Sequence, residues 1–253
     1  MAFAGKVVLI TGASFGIGAE TAVHFSQLGA SLSLTGRNVQ NLNAIVEKCK
    51  PAKTFVVTGD LTNEADAKNV IESTVKHYGR LDVLVNNADI LESGSIEDTS
   101  IEEYDRLFDI HVRSVGNLTI LALPHLVKTK GNIVNVSSLC GLPAFPGVLS
   151  YCSSEFAIDQ LTRCIAPKFA EKQVRVNAVN PGVVKPNLHK TSGMSEEQLK
   201  KFFEHCKETH ALGRSGDVTE VVKSIAFLAS DDSGYITGAT LPVDGGRHAM
   251  CPQ

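Results

Sequence analysis

Short runs of apolar residues recur along the chain, separated by longer segments in which apolar and polar positions mix with helical spacing. Lys6–Thr11 (KVVLIT), Ser31–Thr35, Thr54–Thr58, Leu81–Asn86, Asn132–Ser137 and Val174–Val179 read as strands buried on both faces, since a half-exposed strand would alternate. Helix-length stretches lie between them at Gly16–Leu28, Val39–Cys49, Glu64–His77, Ile101–Val127 and Ser150–Ala170. Val218–Ala229 then precedes a last short strand at Thr240–Val243. Strictly alternating elements predict right-handed crossovers and an α/β fold: one doubly wound parallel sheet of about seven strands with helices on both faces. No linker or low-complexity segment interrupts the pattern, so residues 1–253 read as a single domain. Ligands on such sheets bind at the carboxyl ends of the strands, near the topological switch point. Pro167 falls inside the stretch Ser150–Ala170, where a ring without an N–H should kink or end the helix.

The first strand runs into Thr11-Gly12-Ala13-Ser14-Phe15-Gly16-Ile17-Gly18 and then a helix. Gly12 permits the tight turn, Gly16 lets backbone approach a pyrophosphate, and Gly18 allows close helix–strand contact. The helix N-terminus offers unpaired N–H groups and partial positive charge to phosphate. A glycine triplet alone is a weak signal, but one that follows a buried strand and opens a helix is a strong one.

The spacing of three residues between Gly12 and Gly16 resembles that of the short-chain dehydrogenase/reductase family, and the resemblance extends over essentially the whole chain. Asp60 in Gly59-Asp60-Leu61 resembles the family's adenine-contacting aspartate, and Asn86-Asn87-Ala88 its NNAG element. Ile133–Ser138 resembles the strand that carries the catalytic serine. Ser138 stands thirteen residues before Tyr151, and Asn180-Pro181-Gly182 is similar to the turn beside the nicotinamide. The resemblance implies a Rossmann-type fold and a cofactor wall of Gly12, Ser14, Phe15, Gly16, Ile17, Gly18, Arg37, Asp60, Leu61, Asn87, Ala88, Asp89, Tyr151, Pro181, Gly182 and Val184. In that chemistry the serine positions a substrate carbonyl, and the tyrosine gives or takes the proton as hydride moves to or from the nicotinamide. The closing segment Tyr235–Gly246 is similar to one that packs between subunits, which implies a homotetramer or homodimer.

Five positions depart from the family's pattern, the first being Phe15, which occupies a glycine-loop site that is usually small or polar. Glu155 stands at i+4 from Tyr151, where the family has a lysine that lowers the tyrosine's pKa and holds the nicotinamide ribose. An ionised glutamate there raises that pKa, and it can meet the ribose hydroxyls only as an acceptor. His111 replaces the asparagine of the water relay, Asp89 replaces the glycine of NNAG, and Pro186 falls where a threonine often follows the PG turn. His111 also reads as an ordinary core or surface histidine. His111 and Glu155 are chemically complementary, so a hydrogen-bonded or ionic pair between them is expected to replace the lost network. The resulting site set is Ser138, Tyr151, Glu155 and His111 as catalytic or former catalytic positions, with no metal.

The turn Thr35-Gly36-Arg37-Asn38 carries no acid to hold a ribose 2′-hydroxyl, and Arg37 is placed to meet a 2′-phosphate, so the expected cofactor is NADP(H). The resemblance implies a substrate lid at about 185–212, within which Ser195-Glu196-Glu197-Gln198 is a capping box opening a helix Glu196–His205. Lys200, Lys201, Glu204 and Lys207 read as that helix's solvated face. Leu139, Leu142, Phe145 and Leu188 suggest an apolar pocket for a small or lipophilic carbonyl or alcohol.

Composition narrows the remaining choices. The net charge of −3, with basic residues scattered, argues against nucleic acid or anionic membrane as a partner. No window approaches the unbroken apolar run of a membrane span, and the chain enters a strand directly after Met1–Lys6, with no secretory signal. Six cysteines without CxxC or metal-ligand spacing suggest reduced thiols in a cytoplasmic setting, with Cys152 beside Tyr151 the one to watch. Two function classes stay open. One is an NADP(H)-dependent carbonyl reductase or alcohol dehydrogenase with an atypical and impaired proton relay. The other is a pseudoenzyme that binds a ligand or protein as an oligomer.

Overall fold

The structure is a computed structural model that describes residues 1–185 and 195–250. Seven parallel strands form its central sheet: β1 (Val7–Ile10), β2 (Ser31–Gly36), β3 (Thr54–Thr58), β4 (Val83–Asn86), β5 (Asn132–Val136), β6 (Arg175–Pro181) and, last in the chain, β9 (Thr240–Val243). Their order is β3-β2-β1-β4-β5-β6-β9, so the winding reverses between β1 and β4. Two short strands, β7 (Val184–Lys185) and β8 (Gly216–Asp217), pair separately. The helices are α1 (Gly16–Gln27), α2 (Val39–Lys48), α3 (Glu64–Tyr78), α4 (Ile101–Phe108), α5 (Ser114–Thr129), α6 (Leu149–Ala170), α7 (Glu196–Thr209) and α8 (Val218–Ala229).

Alternate residues of each strand feed two separate cores, which is why the strands read as continuous apolar runs rather than alternating ones. Val8 and Ile10 join Phe25, Leu32, Leu34, Val134 and Ile225 on one face of the sheet. Val7 and Leu9 join Ile71, Leu84, Leu118, Leu126, Ile133 and Phe169 on the other. Burying each such side chain contributes about 1.5–3 kcal/mol, so both layers stabilise the sheet between its helices.

Local signals set the helix starts. Asn38 and Asn63 cap α2 and α3, while Ser100, Ser195 and Asp217 build full capping boxes with Glu103, Gln198 and Glu220. Helix α7 begins where its capping box predicts and runs on to Thr209. Its Lys201 and Lys207 make exposed pairs with Glu197 and Glu204, as a solvated face would.

Two expectations are corrected. The stretch Ile101–Val127 is not one regular helix: α4 and α5 are joined by a wider π-helical turn at Asp109–Arg113, and the hydroxyl of Ser114, the first residue of α5, bonds back to the Ile110 carbonyl within it. Such single-turn widenings re-aim side chains and are frequent at functional sites; this one carries His111. Helix α6 also runs unbroken through Pro167 to Ala170. The proline removes one backbone donor, that to the Arg163 carbonyl, and lies in the last turn, so little helix remains beyond it to be redirected. Pro186 and Leu188 lie outside the described residues, as does most of the stretch between β7 and α7 where a lid was expected. No described helix is long and apolar enough to cross a membrane.

Candidate active site

The reversal between β1 and β4 splays the loops that follow them, and a cavity of about 460 Å³ opens there. Nearly all of the expected cofactor wall lines it: Gly12, Ser14, Phe15, Gly16, Ile17, Arg37, Asp60, Leu61, Asn87, Ala88, Asp89, Tyr151, Pro181, Gly182 and Val184. Gly18 lies beneath the wall, where a Cβ would come within 2.5 Å of the Gly12 carbonyl oxygen. At Gly12 an added Cβ would stand 2.8 Å from Ala88 Cα, so the first glycine loop and the loop after β4 pack backbone against backbone. Gly16, by contrast, has φ +57 and open space where a side chain would point. Phe15 is the N-cap of α1 without a side-chain cap, leaving the first N–H groups of the helix free to face a phosphate. The cradle therefore fits a dinucleotide pyrophosphate. Phe15, an unusual residue for this loop, is 41% exposed on the rim and does not fill the cradle.

At the far end Arg37 is exposed on the cavity wall directly before the α2 cap. Asp60 spends one carboxylate oxygen on Thr62, accepting from its backbone N–H at 3.1 Å and its hydroxyl at 2.8 Å. Those bonds lower its pKa and keep it ionised.

The reacting end is built from β4, β5, α6 and the π turn. Asn180 organises the loop after β5: its amide donates to the Ser138 carbonyl at 2.9 Å and to Asp159 Oδ2 at 2.8 Å. Ser138 and Tyr151 both line the cavity, and the Ser138 hydroxyl accepts from the Cys140 N–H at 3.1 Å. The Tyr151 hydroxyl donates to Asp89 Oδ2 at 3.1 Å. Asp89, read in the sequence as a carboxylate near the cofactor, is thus turned onto the tyrosine.

His111 stands behind the wall, 3% exposed, with its ring edge-on to Tyr151 at 5.6 Å. Its Nδ1 lies 2.8 Å from Ser154 Oγ, whose own hydrogen goes to the Tyr151 carbonyl at 2.9 Å, so Nδ1–H is the donor. Nε2 has two partners of opposite kind. The Ile90 N–H points to it at 3.2 Å, and Asp89 Oδ1 lies 2.9 Å away without hydrogen-bond alignment. A neutral ring accepts from Ile90 and a protonated ring meets Asp89, so both protonation states are provided for. Burial pushes the imidazole pKa down, but Asp89 and Glu155 outweigh it and the net shift is upward.

Glu155 is 2% exposed and withdrawn from the cavity wall, so it does not stand where it could accept from a ribose in the cavity. Its Oε1 lies 3.7 Å from His111 Nδ1, and Oε2 has no hydrogen-bond partner. The anticipated His111–Glu155 pair is therefore a 3.7 Å contact and not a hydrogen bond. The shorter bonds of His111 go to Ser154 and Asp89, two partners the sequence did not suggest. Burial first, and Asp89 second, raise the Glu155 pKa to about 8 against the opposing pull of His111, so the carboxyl is largely protonated at neutral pH. Tyr151 is raised well above 10 by burial, Asp89 and Glu155, which fixes it as a neutral phenol.

Asp89, His111 and Glu155 bring one donor atom each within 4.8 Å of one another. Both ring nitrogens of His111 are already engaged, which favours a hydrogen-bonded chain over a chelate. Cys152, beside Tyr151, has its pKa lowered to about 6 by a hydrogen bond from the Cys140 thiol, and Cys140 is raised in turn. Leu139 and Phe145 line the cavity as expected, and Leu142 does not. Leu91, Val148, Phe202 and Arg247 complete the substrate end. Leu91, Val148 and Arg247 were missed because they stand in loops or turns where no periodic pattern marks a wall, and Phe202 because the polar residues of α7 read as a wholly solvated face.

The site makes stability depend on pH. Glu155 holds its proton to about pH 8 in the fold but only to about 4.5 unfolded, so stability is full below that lower value and falls as pH rises toward 8. His111, also raised, acts in the same direction. The Glu155 contribution is as much as about 5 kcal/mol, on the order of 10 °C in Tm for a chain of this size. Thermal melts from pH 5 to 8 should show this decline, with most of the slope gone in Glu155→Gln. An equal slope in both proteins would mean that Glu155 is not its source.

Comparison with known proteins supplies an independent view of the fold and its chemistry. Residues 12–248 match the family model described as enoyl-(acyl carrier protein) reductase. A meso-2,3-butanediol dehydrogenase of Serratia marcescens is 37% identical over 249 residues, covering 98% of this chain and 97% of that one. A 3-oxoacyl-(acyl-carrier-protein) reductase of Thermotoga maritima is 36% identical over 249 residues, covering 97% and 99%. Among solved structures, a short-chain dehydrogenase/reductase of unknown function from Caenorhabditis elegans, with cofactor, superposes with TM-score 0.93 at 33% identity, covering 99% of this chain and 98% of that one. A carveol dehydrogenase of Mycobacterium avium in complex with NAD gives TM-score 0.92 at 25% identity, covering 98% and 99%.

Proposed function

The chain belongs to the short-chain dehydrogenase/reductase family, and from that premise we propose that it is an NADPH-dependent carbonyl reductase in which Asp89 and His111 serve the proton supply of Tyr151. The observation that carries this reading is the continuous chain from the Tyr151 hydroxyl to Asp89 Oδ2 at 3.1 Å, and from Asp89 Oδ1 to His111 Nε2 at 2.9 Å. Bound NADPH would supply the hydride. Ser138 holds the substrate carbonyl, and Tyr151, kept neutral, gives its proton to the oxygen on which charge develops. A tyrosinate beside Asp89 is strongly disfavoured, so the proton is replaced at once. The protonated imidazole of His111 gives its Nε2 proton to Asp89 Oδ1, a small carboxylate turn bringing the two into line, as Asp89 Oδ2 returns one to the phenolate. His111 is left neutral, its Nε2 accepting from the Ile90 N–H until a proton from solvent restores it. Reduction needs a neutral phenol and oxidation an ionised one, so the raised pKa of Tyr151 favours the reductive direction.

Arg37 supports NADPH over NADH, since a guanidinium can fork onto a 2′-phosphate while no carboxylate occupies Gly36's place. The substrate would be a small or lipophilic carbonyl, in keeping with the apolar side chains around Ser138. A second reading, a pseudoenzyme that binds without turnover, is favoured by two observations: the phenol proton is already committed to Asp89, and no lysine among the described residues lines the cavity. Calorimetric titration with NADPH and NADH, followed by an NADPH-oxidation screen of carbonyl compounds, separates the two. NADPH should bind at least about tenfold more tightly than NADH, about 1.4 kcal/mol, and Arg37→Ala should erase the difference. Tight NADPH binding with no carbonyl reduced would favour the pseudoenzyme, and no dinucleotide binding would defeat the cofactor assignment.

A further inference from the structure

Arg247 lines the same cavity at the end opposite Arg37, on a single 3-10 turn (Arg247–Ala249) that follows β9. That turn is built around the buried carboxylate of Asp244. Oδ1 accepts from the Gly246 N–H at 3.0 Å, while Oδ2 accepts from the His248 N–H at 2.7 Å and meets His248 Nδ1 at 2.9 Å. Gly246 takes a left-handed φ of +81, and Gly182 packs so closely that a Cβ there would stand 2.8 Å from Asp244 Cα. The turn is thus fixed to the cavity floor, and its acid is spent on the turn itself rather than on Arg247.

The guanidinium lies 4.9 Å over the ring of Phe145, and no carboxylate among the described residues pairs with it. Its field is felt nearby: after burial, Arg247 is the largest influence lowering the His210 pKa. A half-buried cation on a rigid turn, facing an apolar cavity, gains most from an anion brought in with the ligand. The other end of the substrate space has the opposite sign. Asp89 touches the Tyr151 hydroxyl, so a carboxylate next to the reacting carbonyl would be repelled there, while one farther along the molecule would not.

Resting on the reading of this cavity as a carbonyl-reducing site, we propose that Arg247 is a specificity residue that selects oxo acids whose carboxylate is several bonds from the carbonyl, against 2-oxo acids and neutral ketones. Phe145 supports this orientation. Its ring carries Arg247, and its carbonyl oxygen lies 4.0 Å from the sulfur of Cys152, the residue next to Tyr151, so the cation and the acid catalyst flank one space.

The test is calorimetry on protein saturated with NADP+, which blocks turnover, and on the protein alone. The probes are 4-oxopentanoate, 5-oxohexanoate and 7-oxooctanoate, each beside its methyl ester, with 2-oxohexanoate as control. At least one of the three oxo acids should bind tenfold or more tightly than its ester and than 2-oxohexanoate. Arg247→Met should remove that preference, and Arg247→Lys should restore part of it. Equal binding of acid and ester across the series, or a preference that persists in Arg247→Met, would overturn the assignment. Turnover is read separately with NADPH. An oxo acid that binds through Arg247 but is not reduced leaves the specificity assignment standing and defeats carbonyl reduction. Esters and acids reduced with equal kcat/KM would do the reverse.

Discussion

Tyr151→Phe is expected to abolish carbonyl reduction, by a factor of about 10² or more in kcat, while NADPH binding changes little. The substitution removes one oxygen and keeps the ring, so the edge-on packing against His111 at 5.6 Å survives. What is lost is the hydroxyl that shares the cavity with Ser138 and donates to the Asp89 carboxylate. Asp89 loses one hydrogen bond and keeps its contact with His111. Water reaching the cavity can replace the phenol as its donor, since the Asp89 side chain is 27% exposed. Steady-state kinetics beside calorimetry decides the matter. Turnover undiminished in the phenylalanine variant would mean that the proton comes straight from Asp89 or from solvent, and the role given to Tyr151 would be withdrawn. A variant that loses both binding and turnover would point instead to a collapsed wall.

The contrast between these residues explains how far the sequence could be read. Val8 and Ile10 on one face, and Val7 and Leu9 on the other, carry their fates in their apolarity, so the strand Lys6–Thr11 and its partners were legible. The glycine loop was legible because its spacing between a buried strand and a helix, and the left-handed φ at Gly12 and Gly16, are local properties. The Ala88 backbone that excludes a side chain at Gly12, by contrast, comes from far along the chain. Glu155 announced itself by its charge at i+4 from Tyr151. Its consequence was not legible, because the direction a buried carboxylate turns depends on partners distant in sequence. Asp89 lies 62 residues from Tyr151 and His111 lies 43 from Ser154, and neither contact leaves a periodic trace. The π turn at Asp109–Arg113 is hidden for a related reason: its sequence fits a regular helix, and the extra residue is accommodated through packing against α6. Arg247 was invisible as a wall residue because nothing local says that the turn after β9 folds back under Gly182.

Glu155→Lys is the substitution with the largest expected gain. In the native protein the position is buried, its neighbours are His111 and Asp89, and both the carboxyl and the phenol have raised pKa values. A lysine there removes one cause of the tyrosine's upward shift and adds a cation with Asp89 as its nearest counter-charge. The Tyr151 pKa must then fall, which helps alcohol oxidation, where an ionised phenol is needed, more than carbonyl reduction. We expect kcat/KM for alcohol oxidation at pH 7 to rise at least about tenfold and by a larger factor than reduction, each factor of ten being about 1.4 kcal/mol. The same charge reverses the stability profile. A lysine beside His111 makes protonation of the imidazole costly, so its pKa drops and the variant gains stability as pH rises, whereas the native protein loses it. Kinetics in both directions and melts from pH 5 to 8 therefore test one electrostatic cause by two routes. If the melting profile reverses but neither direction of catalysis improves, the charge at 155 governs the fold and not the phenol, and the relay through Asp89 and His111 is already sufficient without it. If catalysis appears only in the lysine variant, the native relay does not turn over, and Glu155 is the residue that silenced it.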